Sequence, residues 1–91
     1  MTEPVHAPRS HRGFPAYRSL TVHVTDRLDG AARVVMLLRA RSYRVRDMTV
    51  EVREGVVESR VQCTVWLGRD DVELLLCRLR RMPGVVSAEK R

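Results

Sequence analysis

The sequence predicts an α+β fold, with one antiparallel four-stranded sheet and two helices on one face, in the order β-α-β-β-α-β. Three observations predict it. Apolar and polar residues alternate with period two over residues 20–25, 48–53 and 59–67, which marks half-buried strands. Apolar residues recur at helical spacing over residues 34–41 and 72–82. A strand–helix–strand unit occurs twice, each about 35 residues long, the arrangement of a split βαβ motif.

The first strand follows from Leu20, Val22 and Val24 alternating with Thr21, His23 and Thr25. Asp26, Arg27, Leu28, Asp29 and Gly30 break that pattern, and Asp29 is the expected N-cap of the first helix. Val34, Val35, Leu37, Leu38 and Arg41 carry that helix, with Arg33 and Arg39 outward and an end near Ser42. The second strand spans 44–53, with Met48, Val50 and Val52 on one side and Thr49, Glu51 and Arg53 on the other. Glu54-Gly55 supplies turn chemistry, and the third strand returns over 59–67 as the other arm of a hairpin. Val61, Cys63, Val65 and Leu67 face inward there, while Gln62, Thr64 and Trp66 face outward.

Gly68 to Glu73 opens the second helix, with Asp70 as the expected cap and Glu73 completing a capping box. Asp71 suits the positive end of the helix dipole, and Arg78, Arg80 and Arg81 suit the negative end. Val72, Leu75, Leu76, Leu79 and Met82 form the stripe expected to be buried, and Pro83-Gly84 stops the helix. Residues 85–89 form a short last strand. The whole is ferredoxin-like. Its helix-free face would show Thr21, His23, Thr49, Glu51, Gln62, Thr64 and Trp66. A Trp among small polar groups fits a face covered by a second copy; a singly exposed Trp is the other reading.

At 91 residues the chain is one small domain, and 44% hydrophobic with 31% charged residues is ordinary for a globular one. Residues 1–17 hold three of the four prolines and no apolar periodicity, so a disordered tail is expected there, with the folded domain over 18–91. The formal charge is +6, and 16 of the 17 basic residues are Arg. These are interleaved with acids rather than gathered in a block, the pattern of a solvated surface. The aromatics are Phe14, Tyr17, Tyr43 and Trp66. The expected first strand holds none of them and the third holds Trp66, which argues against a base-stacking platform and against nucleic acid as a partner.

The longest apolar run, Val34 to Leu38, is too short for a membrane span, so no membrane partner is expected. No export signal is visible and the two cysteines have no framework spacing, so the expected compartment is the cytoplasm. Cys63 and Cys77 read as small core hydrophobes, and neither metal nor cofactor is expected. Ser19, Ser42, Ser59 and Ser87 lack an evident histidine partner, and Asp26 and Asp29 serve turn and cap roles. No Gly-rich phosphate loop follows the first strand. The chain is expected to be non-catalytic. What remains is the start of the first helix, where free backbone N–H groups and the dipole suit a carboxylate.

Residues 20–27 (LTVHVTDR), 32–38 (ARVVMLL) and 42–50 (SYRVRDMTV) resemble an ACT domain. More narrowly, they are similar to the small regulatory subunit of acetolactate synthase in its short, single-domain form. Residues 59–65 (SRVQCTV) and 79–89 resemble that family's third strand and its closing helix turn and strand, so the likeness covers about residues 18–90. The resemblance implies a non-catalytic subunit of branched-chain amino-acid biosynthesis. Such a subunit binds and activates the large thiamine-diphosphate-dependent subunit of acetolactate synthase. It implies a homodimer paired edge to edge, with a branched-chain amino acid as effector at the pair interface. The effector residues it implies are Asp26, Arg27, Leu28, Asp29, Gly30 and Arg44.

The loop departs from the family pattern. Leu28 and Asp29 stand where Pro-Gly or Ser-Gly is usual, Gly30 comes one residue late, and Arg44 replaces an Asn. Two carboxylates would repel an amino acid's carboxylate and Arg44 would attract it. An activating subunit insensitive to amino acids and one with a changed effector would both look like this. The alternative reading is a stand-alone interaction module without a small ligand, docking an acidic partner through its Arg-rich surface; weak RNA binding through that surface is a third, less favoured one.

Overall fold

The computed structural model describes residues 14–53 and 55–91. The elements run β1 (Ala16–Val24), α1 (Arg27–Ala40), β2 (Val45–Val52), β3 (Ser59–Leu67), α2 (Arg69–Arg80) and β4 (Val85–Lys90). The expected α+β class and element order are those observed. The greater part of the tail expected over residues 1–17 lies outside the described residues.

One four-stranded sheet has the order β2-β3-β1-β4, with every neighbouring pair antiparallel. The two long strands are therefore central, and β2 and β4 are the edges. Leu20, Val22 and Val24 from β1 and Val61, Cys63, Val65 and Leu67 from β3 form one core cluster with residues of both helices. That single cluster places both helices on the same face. From α1 it takes Ala31, Val34 and Leu38, and from α2 Val72, Leu75, Leu76 and Leu79. Burying a leucine of this kind stabilises by about 2 kcal/mol from area alone.

Several local expectations are corrected. β1 begins at Ala16, four residues ahead of the alternation that opens at Leu20, so Tyr17 is a strand residue paired directly with Trp66. Val35, expected inward, is 42% exposed, because the core side of α1 is the Ala31–Val34–Leu38 stripe. Met82 is half-buried at the rim of the core rather than inside it. Cys77 is exposed, unlike Cys63.

Neither expected cap forms. Asp26 caps α1 and Gly68 caps α2, and neither cap makes a side-chain hydrogen bond. Asp29 and Asp70 instead lie in the first turns, where a carboxylate still favours the positive helix end.

The strand registers contain two irregularities. β2 slips between Val45 and Asp47, leaving Arg46 as the extra residue, and β4 slips opposite His23 and Val24, leaving Val86 out. α2 is tied to β4 by Arg80, which donates from Nε and Nη2 to the Ala88 carbonyl at 3.0 and 2.7 Å. On the helix-free face the polar groups engage one another. Ser19 and Thr64 hydroxyls lie 3.4 Å apart, His23 Nδ1 is 3.1 Å from Ser87 Oγ, and Arg60 pairs with Glu51.

Candidate functional site at the two ends of the first helix

The loop from β1 into α1 makes a tight left-handed turn. Asp26 has φ 65° and Arg27 φ 51°, so two consecutive residues other than glycine occupy the left-handed region. The surroundings hold them there. Thr25 donates its backbone N–H to the Gly84 carbonyl at 2.7 Å, and its hydroxyl reaches the same oxygen at 3.3 Å. The Asp26 carboxylate accepts from Arg33 Nη1 at 3.0 Å, one helical stretch further along α1. The Asp26 carbonyl accepts from the backbone N–H groups of Asp29 and Gly30 and begins the helix.

Gly30 has a packing role. A Cβ at this position would lie 2.0 Å from the Thr25 carbonyl oxygen and 3.0 Å from the Val24 side chain. Its lack of a side chain lets α1 cross the end of β1 at close range. It is buried, and it lines none of the hollows at this end.

The other loop residues border solvent. Asp26, Arg27 and Asp29 face Gly55, Val56 and Val57 across an open hollow of about 500 Å³. With Leu28 they also face Val52 at the end of β2, around a second hollow of about 360 Å³. Leu28 is 65% exposed, so an apolar side chain stands in solvent beside two carboxylates. The structure thus brings Asp26, Arg27, Leu28 and Asp29 together, with Gly30 behind them.

Arg44 is elsewhere in the same chain. It precedes β2, and the loop hollow touches the last residue of that strand, about 25 Å away at the usual strand rise. It lies instead beyond the C-terminal end of α1. That end closes with Ser42 at φ 57°; Tyr43 N–H bonds the Leu38 carbonyl and Ser42 N–H the Arg39 carbonyl, a Schellman arrangement with serine in the usual glycine position.

Sequence reasoning missed the side-chain cluster at this end. The Tyr17 and Trp66 rings meet edge to face, with centroids 4.9 Å apart. The Arg46 guanidinium lies 4.8 Å from the Tyr17 ring centre, and that of Arg44 5.6 Å from Trp66. Arg78 donates to the Tyr43 hydroxyl at 2.8 Å. The signal available in the sequence was Pro15, a strand-start residue, followed by outward Tyr17, Ser19, Thr21 and His23.

Cys63, buried inside the sheet, has its thiol pushed up to about 11 from 9.0, first by burial and then by the Asp47 carboxylate. It is held as the neutral thiol. Among the described residues, no group of three or more His, Cys, Asp or Glu side chains is placed to hold a metal ion. No helix among them is long and apolar enough to cross a membrane.

No family model matches the chain, and no curated protein does. Solved structures do match. The crystal structure of the ACT domain from GTP pyrophosphokinase of Chlorobium tepidum aligns with a TM-score of 0.72 at 13% identity, covering 85% of this chain and 99% of that one. The solution NMR structure of the same domain aligns with a TM-score of 0.73 at 13% identity, covering 85% and 86%. With its sheet order, its helices on one face and this superposition, the chain has the fold of an ACT domain.

Proposed function

We propose that this protein is a non-catalytic regulatory subunit. It would pair with a second copy through β2 and bind the large subunit of acetolactate synthase in branched-chain amino-acid biosynthesis. The observation that carries the reading is the β2 edge. It is an eight-residue strand at the end of the sheet, with one side of its backbone unpaired and Val50 and Val52 half-exposed. Such an edge invites a further strand. Antiparallel pairing of β2 with β2 of a second copy sets Val45 near Val52 and so carries Arg44 of that copy to the Asp26–Asp29 loop. This unites the two parts of the expected effector site, Asp26, Arg27, Leu28, Asp29 and Gly30 with Arg44. The resemblance of residues 20–50 and 59–65 to the acetolactate synthase small subunit supports the choice of partner, and the ACT fold supports a regulatory role.

In this arrangement Arg44 would take the carboxylate of an amino acid, and Leu28, Val52 and Val56 would bound its side chain. Asp26 and Asp29 would favour its ammonium group. The test has three readouts on the full chain. Sedimentation should give a dimer, mixing with an acetolactate synthase large subunit should raise its activity, and calorimetry with valine, leucine or isoleucine should show heat. A monomer that leaves the large subunit's activity unchanged sinks the reading. A dimer that activates but shows no heat removes the effector and keeps the partner.

One observation favours a second reading, a ligand-free interaction module. The loop hollows are open and carry two carboxylates, with Asp26 already engaged by Arg33. Recovery of an acidic protein other than a thiamine-dependent synthase would support it.

A further inference from the structure

We propose a second binding site, unrelated to the loop at the start of α1, for a small phosphate ester bearing a flat ring, the chemistry of a nucleotide. It is the hollow of about 500 Å³ between the α1–β2 connection and one face of α2, within the size range of small-molecule sites. Arg41, Arg44 and Arg78 line it together with Tyr43, Trp66 and Asp71.

The charge argument comes first. Three guanidinium groups border one hollow against the single carboxylate of Asp71. The contacts of Arg78 and Arg44 are neutral, the Tyr43 hydroxyl and the Trp66 ring. Three like charges converge at a cost unless an anion joins them, and guanidinium forks suit the oxygens of a phosphate.

The second argument is shape. Trp66 forms one wall and is 39% exposed, with the Arg44 guanidinium carbon 5.6 Å from its ring centre. Tyr17 braces that ring from the side, and the Schellman turn fixes Arg41 and Tyr43. A flat ring can stack there while its phosphates meet the arginines.

A nucleic-acid strand fits less well. Along the open sheet face beyond Trp66, the hydroxyls and His23 already bond one another, and Arg46 and Arg60 are already paired with Asp47 and Glu51, so that face offers a phosphodiester chain no continuous row of unpaired cations.

Trp66 is the single tryptophan of the chain, so its fluorescence reports on this hollow directly. The experiment titrates the full chain with ADP and with inorganic pyrophosphate at about 50 mM salt, where phosphate contacts are strong, following fluorescence and heat. ADP should quench Trp66 and release heat, and pyrophosphate should compete more weakly. Arg41→Gln, at an exposed position outside the loop site, should weaken ADP about tenfold, whereas Arg53→Gln, an equal charge loss at an exposed position beyond the far end of β2, should change it less than about twofold.

Absence of quenching and heat at millimolar ADP overturns the proposal. So does an equal loss in both variants, which would mean diffuse charge attraction. An ADP affinity no greater than that of pyrophosphate removes the ring. Affinity that appears only with oligonucleotides and grows with their length assigns the surface to a strand instead. The large synthase subunit enters none of these outcomes. Arg44 is shared with the proposed effector site, whereas Arg41 belongs to this hollow alone, so a loss of ADP binding in Arg41→Gln with any amino-acid heat unchanged tells the two sites apart.

Discussion

The two ends of α1 solve the same geometric problem with different chemistry. At each end the chain must leave a strand or helix abruptly, and at each a residue other than glycine takes the left-handed conformation, Asp26 and Arg27 at the start and Ser42 at the finish. The starting end carries the carboxylates Asp26 and Asp29 balanced by Arg27 and Arg33, and is held by the Asp26–Arg33 pair and by the Thr25–Gly84 hydrogen bonds. The finishing end is basic, built from Arg41, Arg44 and Arg78 around two aromatic rings. Part of the contrast is dipole compensation, acids at the positive helix end and bases at the negative one. Compensation for α1 accounts for Asp29, Arg39 and Arg41. It does not require Arg44 on the connection to β2 or Arg78 on α2, and that surplus is why the basic end is the better candidate for binding an anion.

The contrast can be broken at the starting end most forcibly through Gly30. Gly30→Ala drives a methyl group into the Thr25 carbonyl and the Val24 side chain, so urea unfolding should show a loss of about 3 kcal/mol. An unchanged midpoint would mean the close crossing of α1 over β1 is not needed.

The core between the two ends gives the next largest effect, read through its thiol. Cys63 is raised by burial and by Asp47, so the folded state holds its proton more tightly than the unfolded chain does. That contribution is complete below pH 9.0 and is lost as pH climbs to about 11. Stability should therefore fall over that window, and Cys63→Ala should flatten the fall. In the folded protein at about pH 8, iodoacetamide should modify exposed Cys77 and leave Cys63 intact until denaturant is added.

At the basic end, Tyr43→Phe removes the acceptor of Arg78 and should cost about 1 kcal/mol, measured by the same unfolding. A smaller effect of opposite sign sharpens the comparison. Ser42→Gly relieves the left-handed strain in the Schellman turn and should raise stability by about 0.5 kcal/mol, whereas Asp26→Asn, which weakens an exposed ion pair, should lower it by no more than that.

Much of this architecture was legible in the residues. The alternation at Leu20, Val22 and Val24, and from Val61 to Leu67, fixes which side of each central strand is buried, because a one-residue slip would expose every apolar side chain. The stripe of Val72, Leu75, Leu76 and Leu79 was readable for the same reason.

The helix caps were not. Capping preferences score Asp29 and Asp70 by identity, while the place where each helix begins is set by tertiary ties such as Thr25 to Gly84. The start of β1 escaped because Arg18 sits at an inward position there, with its Nε bonded to the Leu67 carbonyl at 3.0 Å, which hides the alternation. The loop residues Asp26 to Asp29 could be grouped from their adjacency. The position of Arg44 relative to them could not, since strands β1 and β2 run the same way and residue spacing alone does not reveal which ends meet.

The slip at Arg46 has a consequence for assembly. Only residues 47–52 of β2 keep an unbroken register with β3, so an incoming strand finds a short landing strip rather than a long template. On the far side, β4 offers six residues, kinked at Val86 and ending in Glu89 and Lys90. Unlike edges discourage head-to-tail growth, and like edges close on themselves after a single union. Were the proposed β2–β2 pairing to form, it would end in a finite particle rather than a ribbon that lengthens without limit.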